Sequence, residues 1–304
     1  MQQTALILGS SGRFGRASAE AFAAAGWQVR RFDRARDDLM QAARGADVIV
    51  NGWNPAYPDW ATNVPHLTRQ VIAAAKAHDA TVIVPGNVYV YGDGSPQVFD
   101  LTTPHAATNP LGRIRIEMEQ AYRASGVRTI LLRAGDFIDT QASGNWFDLM
   151  MTPKIAQGRF TYPGRRDIPH AWAYLPDMAR AAVMLAERRD TLNRYEEVGF
   201  PGYTLSGDEM AAALEQVTGR ALRVKPLNWL PLRLAAPVWK MGRCLVEMRY
   251  LWNLPHRIGA VRFDALLPGF RHTPLDKALA SALPQVALRP APAAQPSRST
   301  QISR

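Results

Sequence analysis

Short apolar runs alternate with helical patterns through residues 4–140. Thr4–Leu8, Gln28–Phe32, Asp47–Val50, Thr81–Val84 and Thr129–Leu132 read as strands, the second despite Arg30 and Arg31. Arg16–Ala25 and the stretches 64–78 and 111–125 carry helical spacing between them. Strands apolar on both faces and separated by helices predict a parallel sheet covered on both sides. Right-handed crossovers make such a sheet doubly wound. The expected class is α/β, a doubly wound parallel sheet with a smaller C-terminal α+β region.

After residue 140 the rhythm changes. Segment 143–170 is rich in Gly, Pro and aromatics, and a helix is predicted over 175–189. Another helix, over 206–218, opens on Ser206 and Glu209, a capping-box pair. Segment 229–252 gathers Trp229, Leu232, Leu234, Val238, Trp239 and Trp252, with Arg233, Lys240, Arg243 and Arg249 between them. It reads as an amphipathic element at a membrane surface, or as a helical lid or dimer surface. Pro231 and Pro237 interrupt a continuous membrane-binding face and favour the lid. The expected organisation is a first domain over 1–170, with helix 175–189 also packing on it. A substrate or lid region over 171–287 follows, then a disordered Pro/Ala/Ser/Arg-rich tail over 288–304.

Gly9, Gly12 and Gly15 stand between the first strand and the first helix. Glycines at this spacing allow a tight turn, a close approach of backbone to pyrophosphate, and close helix–strand packing. The helix N-terminus then offers free N–H groups and a positive dipole end. The turn, with Ser11, Arg13 and Phe14, is thus a dinucleotide site, and the first domain is of the Rossmann type. The second strand ends at Asp33, where a carboxylate can accept from both ribose hydroxyls of NAD. Arg34 follows, suited to the 2′-phosphate of NADP. The cofactor reads as NAD(P), with NAD and NADP both open. Gly52, after the third strand, suits a close approach to it.

Composition narrows the partners. The net charge of +10 invites nucleic acid. The basic residues are scattered and mostly arginine, so they read as a solvated surface and no nucleic-acid site is expected. No stretch is long and apolar enough to span a bilayer, no signal peptide is apparent, and a cytoplasmic location is expected. A homodimer is left open. Cys244 is the single cysteine. The histidines show no metal-ligand spacing, so no metal site is expected.

The chain resembles the extended short-chain dehydrogenase/reductases, the NAD-dependent epimerase/dehydratase branch. The glycine turn, Val82–Gly92, Pro110–Glu117, Leu132–Phe137 and Trp172–Ala179 carry the likeness, over residues 4–285. In that branch a tyrosine moves the proton, a lysine lowers its pKa and holds the nicotinamide ribose, and a Ser or Thr binds the substrate oxygen. The likeness puts Leu111 at the tyrosine, Arg115 at the lysine and Asn87 at the Ser/Thr. Leucine transfers no proton. Asparagine still polarises a carbonyl, and arginine keeps the charge without exchanging protons near neutral pH. Asn87, Arg115 and Tyr91 are the candidate catalytic residues, with Tyr89, Tyr174 and His170 as further candidate acids. Asp136 faces the nicotinamide or caps a loop.

The resemblance implies an NAD(P)-dependent oxidoreductase or epimerase-like enzyme acting on a small or nucleotide-linked carbonyl or hydroxyl substrate. The altered catalytic half leaves open, as the alternative, a non-catalytic NAD(P)-binding redox sensor or assembly protein.

Overall fold

The computed structural model describes residues 2–288; all but the first residue of the tail expected at 288–304 lies outside them. The first half runs β1 (Thr4–Leu8), α1 (Arg13–Ala24), β2 (Gln28–Arg31), α2 (Leu39–Ala42), β3 (Val48–Asn51), α3 (Trp60–His78), β4 (Thr81–Gly86), β5 (Val98–Phe99), α4 (Pro110–Ser125) and β6 (Thr129–Arg133). The second half adds β7 (Asp136–Ile138), β8 (Arg159–Tyr162), β9 (His170–Tyr174), α5 (Leu175–Glu187), β10 (Tyr195–Gly199), β11 (Tyr203–Leu205) and α6 (Gly207–Thr218). It closes with β12 (Arg223–Pro226), α7 (Leu230–Ala235), α8 (Lys240–Glu247), β13 (Arg257–Ile258), α9 (Val261–Leu266) and α10 (Leu275–Ala282).

Six parallel strands form the central sheet in the order β10-β6-β4-β3-β1-β2. The winding reverses between β1 and β3. At such a switch point the loops leaving the strands diverge and open a crevice at the carboxyl edge. Both faces of the sheet are covered, as the unbroken apolar strands require. α1 and α5 pack on one face through Phe14, Ala17, Phe22, Met178, Ala182 and Leu185. α3 and α4 cover the other through Trp60, Val64, Val71, Leu111, Met118 and Tyr122.

The strand β10 is missing from the apolar pattern. Its Glu196 and Glu197 hide it, because each finds an arginine far along the chain. Glu196 pairs with Arg262 and Glu197 with Arg133.

The smaller region holds a three-stranded sheet, β11-β9-β7, and the pair β12-β8. Phe147, Phe160, Tyr162, Trp172, Trp229 and Trp252 build its core. The capping box forms at α6: the Glu209 N–H donates to Ser206 Oγ, and the Ser206 N–H donates to Glu209 Oε2. Segment 229–252 divides. Trp229, Met248, Leu251 and Trp252 are buried, whereas Leu230, Leu234, Val238 and Trp239 stay exposed on α7 and the turn into α8. No described helix is long and apolar enough to cross a membrane.

Candidate functional site

The glycine turn is closed by the Gly12 N–H donating to the Gly9 carbonyl at 2.9 Å. Gly9 adopts φ +70°, a conformation that favours glycine. Three backbones cross here with no room for side chains. A Cβ on Gly9 would lie 2.9 Å from the Gly52 oxygen, and one on Gly52 would lie 2.7 Å from the Leu8 oxygen. A Cβ on Gly15 would overlap the Gly9 carbonyl. The crossing brings the turn after β1 against the turn after β3, at the switch point. The first-turn N–H groups of α1 belong to Arg13, Phe14 and Gly15 and have no helical acceptor.

Ser11 and Gly12 are exposed at the rim of this turn. The Phe14 ring is buried on the sheet, so Phe14 presents only its N–H. The Arg13 side chain leaves the turn, with Nε donating to Ser143 O at 3.1 Å and Nη2 to Gly144 O at 2.6 Å. Asp148 Oδ2 accepts the N–H groups of those two residues. Arg13 thereby ties the start of α1 to the 143–148 loop of the smaller region.

Beyond β2 the chain turns on Asp33, whose Oδ1 accepts the Ala35 N–H at 3.0 Å. Its other oxygen lies 3.5 Å from Arg36. Arg30 is committed to the carbonyls of Ala42 and Arg44. Arg34 instead lines a cavity of about 360 Å³ with Phe32, Asp38, Trp53 and Gln70. Trp53 stands edge-on to Phe32 at 5.6 Å.

The other end of the crevice lies at the carboxyl ends of β4 and β6. Asn87 caps the short helical turn after β4: its Oδ1 accepts the Tyr89 N–H at 3.0 Å, which leaves Nδ2 to donate. Arg115 is buried on α4 and donates through Nη2 to the Pro85 carbonyl at 2.7 Å. Its guanidinium lies over Trp60, 5.4 Å from the ring centre. Its Nε is buried without a partner among the described residues. The Tyr89 and Tyr57 hydroxyls meet at 2.6 Å. Burial pushes both phenols up; the Asp136 charge adds to this and the Arg115 charge opposes it. Asn87, Tyr89 and Arg115 are thus brought together, with Tyr57 completing the group.

Tyr91 is placed elsewhere. It is buried in the core, its ring stacked on Phe99 at 4.0 Å, and burial pushes its hydroxyl up to about 12. Tyr174 donates to or accepts from Ser281 in the smaller region, at 2.8 Å. Leu111 is buried, and its N–H donates to Glu247 at the end of α8 at 2.7 Å. Tyr57, Trp60 and Glu247 escape sequence reasoning. Their only signal is position: Tyr57 and Trp60 follow the loop after β3, and Glu247 ends a long acid-free stretch.

His105, Glu119 and Glu197 lie close enough to suggest a metal site. The Arg133 guanidinium occupies that space, donating to Glu119 at 2.7 Å and to Glu197 at 2.6 Å. It also donates to the Asn87 carbonyl at 2.5 Å, so the ion pairs anchor the candidate site. Removing one partner of a buried pair strands the other charges. Arg133→Ala is therefore expected to destabilise the fold by about 3–5 kcal/mol. Urea unfolding followed by circular dichroism checks this.

Asp136, at the start of β7, accepts from His170 Nε2 at 2.8 Å. The His170 ring stacks on Trp252 at 4.4 Å and meets His256 at 4.5 Å. His256 is fully buried, with Nδ1 on the Leu254 carbonyl and Nε2 unpartnered among the described residues. Burial, and then the neighbouring His170, push its pKa down to about 3. The unfolded chain would protonate it near pH 6.5. Between those values the unfolded state binds more protons, so stability present above about pH 6.5 is lost as pH falls toward 3. His256→Phe is expected to flatten the fall of the urea midpoint between pH 6 and pH 4, assayed at about half-unit steps. Parallel curves for wild type and variant would assign that fall to other groups.

Comparison with protein-family models and with curated proteins gives no match. Solved structures do match. A GalE-like L-threonine dehydrogenase from Cupriavidus necator is 19% identical at a TM-score of 0.70, over 92% of this chain and 98% of that one. A nucleoside-diphosphate-sugar epimerase from Staphylococcus aureus is 16% identical at 0.67, over 92% and 100%. A UDP-glucuronic acid 4-epimerase from Bacillus cereus in complex with NAD is 14% identical at 0.67, over 92% and 94%. At such identities the likeness establishes the fold. It is the Rossmann α/β fold, which these three structures share.

Proposed function

We propose that the chain binds NAD(P) across the β1/β3 crevice and acts as an oxidoreductase or epimerase-like enzyme on a small or nucleotide-linked carbonyl or hydroxyl substrate. Two features fit the cofactor: a crossing at Gly9, Gly15 and Gly52 that a Cβ would fill, and the orphaned buried Nε of Arg115. The cofactor, when bound, supplies the hydride acceptor or donor. Gly9, Ser11, Gly12 and the N–H groups of Arg13, Phe14 and Gly15 hold its pyrophosphate. Asp33 or Arg34 meets the adenosine ribose beside the cavity lined by Trp53, and Arg115 Nε donates to the nicotinamide ribose.

The observation that carries the catalytic reading is the Tyr57–Tyr89 hydroxyl pair beside Asn87 and Arg115. Asn87 Nδ2 polarises the substrate carbonyl. Tyr89 donates the proton that Leu111 cannot, and Tyr57 returns one to Tyr89. In the oxidising direction the same protons move the opposite way. The Arg115 charge favours the transient phenolate.

A panel of aldehydes, ketones and sugar nucleotides with NADH or NADPH tests this reading. Wild type is expected to turn over at least one substrate, and Asn87→Ala to lose that turnover. If wild type binds NADPH but only a Leu111→Tyr/Arg115→Lys variant shows reductase activity, the chain is a silent cofactor-binding protein.

A further inference from the structure

We infer that the tip of the α7–α8 hairpin is a docking surface for the headgroup region of an anionic lipid bilayer. The apolar side of the tip has no partner among the described residues. Leu230 and Leu234, one helical turn apart on α7, are 56% and 71% exposed. Val238 and Trp239, in the turn that follows, are 90% and 44% exposed. Leu232, on the opposite side of α7, packs into the core of the smaller region, and Trp229 anchors the start of the helix there through an indole N–H on the Pro163 carbonyl at 2.7 Å. The hairpin is thus held firmly from beneath while its outer side offers aliphatic chains and an indole. Clustered exposed apolar groups of this kind mark interaction sites, and indole favours the membrane interface.

Charge selects the occupant. Residues 216–246 contain no Asp or Glu, and they carry Arg220, Arg223, Lys225, Arg233, Lys240 and Arg243. Arg233, Lys240 and Arg243 are exposed beside the apolar residues. Cations flanking an inserted apolar tip match phosphate headgroups above acyl chains. The stretch that forms the tip supplies cations and no carboxylates, which a surface of anionic headgroups complements. Pro231 and Pro237 break a long membrane-lying helix, but they leave a compact hairpin tip that needs no continuous face. The same α8 ends at Glu247, which holds the N-terminus of α4 through Leu111. Docking would therefore bring the bilayer within about 12 Å of helix from that end of the crevice.

Flotation of the full-length protein with vesicles of phosphatidylcholine alone or with about one third phosphatidylglycerol tests the inference. Wild type is expected to float with the anionic vesicles, and to partition at least ~10-fold less in 0.5 M salt or onto neutral vesicles. Leu234→Asp/Val238→Asp, at two highly exposed positions, is expected to lose flotation with an unchanged circular dichroism spectrum. So is Arg233→Gln/Lys240→Gln/Arg243→Gln, which keeps the apolar tip. Light scattering of wild type is expected to give the same mass as the Leu234→Asp/Val238→Asp variant. Absence of flotation on anionic vesicles at low salt would overturn the inference. So would flotation that survives in both variants, or a wild-type dimer that the aspartates dissociate.

Discussion

Replacing Tyr89 with phenylalanine is expected to lower kcat by about 10²–10⁴-fold, the contribution of a positioned acid or base. NAD(P)H affinity is expected to stay as in wild type. The resemblance to the extended short-chain dehydrogenase/reductases puts Leu111 where that branch has its proton-carrying tyrosine, and leucine has no proton to give. The group that can take the role must reach the ends of β4 and β6, carry an exchangeable proton, and be resupplied. Tyr89 sits two residues from Asn87, its backbone fixed by that side chain, and its hydroxyl meets Tyr57 at 2.6 Å. Tyr57→Phe breaks the resupply while keeping the donor, so a smaller loss in kcat is expected. Tyr91→Phe serves as the control, because Tyr91 is stacked on Phe99 in the core. Equal losses for Tyr89→Phe and Tyr91→Phe would indicate damage to the fold around β4 and not removal of an acid. A rise in KM with unchanged kcat would assign Tyr89 to binding.

Gly15→Ala is expected to weaken NAD(P)H binding by about 100-fold, the 2–3 kcal/mol scale of an overpacked close contact. The methyl group would overlap the Gly9 carbonyl, so α1 must move off β1 or the turn must open. Either movement withdraws the N–H groups of Arg13, Phe14 and Gly15 from the position where a pyrophosphate would sit. Gly26→Ala is the matching control. A Cβ on Gly26 would meet no atom within 4 Å, although its φ of +81° adds a local strain unrelated to the site. Nicotinamide fluorescence for the two variants separates a lost cradle from a general loss of stability. Equal affinities for Gly15→Ala and wild type would remove the crossing from cofactor binding.

Much of the sheet was legible because its strands are apolar on both faces. Thr4–Leu8 and Thr129–Arg133 are buried at every position, and nothing but a covered parallel sheet suits such runs. β10 was not legible, because a strand carrying two glutamates breaks that rule unless Arg133 and Arg262 are known to lie beside it. The glycine turn was legible for a local reason: its three glycines and Gly52 answer to one crossing. The reacting end was only half legible. The resemblance, aligned at Tyr91-Gly92 and at Pro110, implies Asn87 and Arg115, and these two lie at the same end of the crevice. The choice among Tyr89, Tyr91, Tyr174 and His170 depends on which ring turns toward the crevice and which into the core. Alternation within one short helical turn does not encode that. The side chain of Arg13 illustrates the same limit, since its acceptors lie in the loop at Ser143 and Gly144.

The dinucleotide crevice itself is best tested by titrating purified protein with NADH and with NADPH while following nicotinamide fluorescence. A saturable enhancement with at least one of them, lost in Gly15→Ala and retained in Tyr89→Phe, is the expected result. The absence of a saturable signal with either nucleotide, from protein whose circular dichroism shows the folded α/β domain, would contradict it.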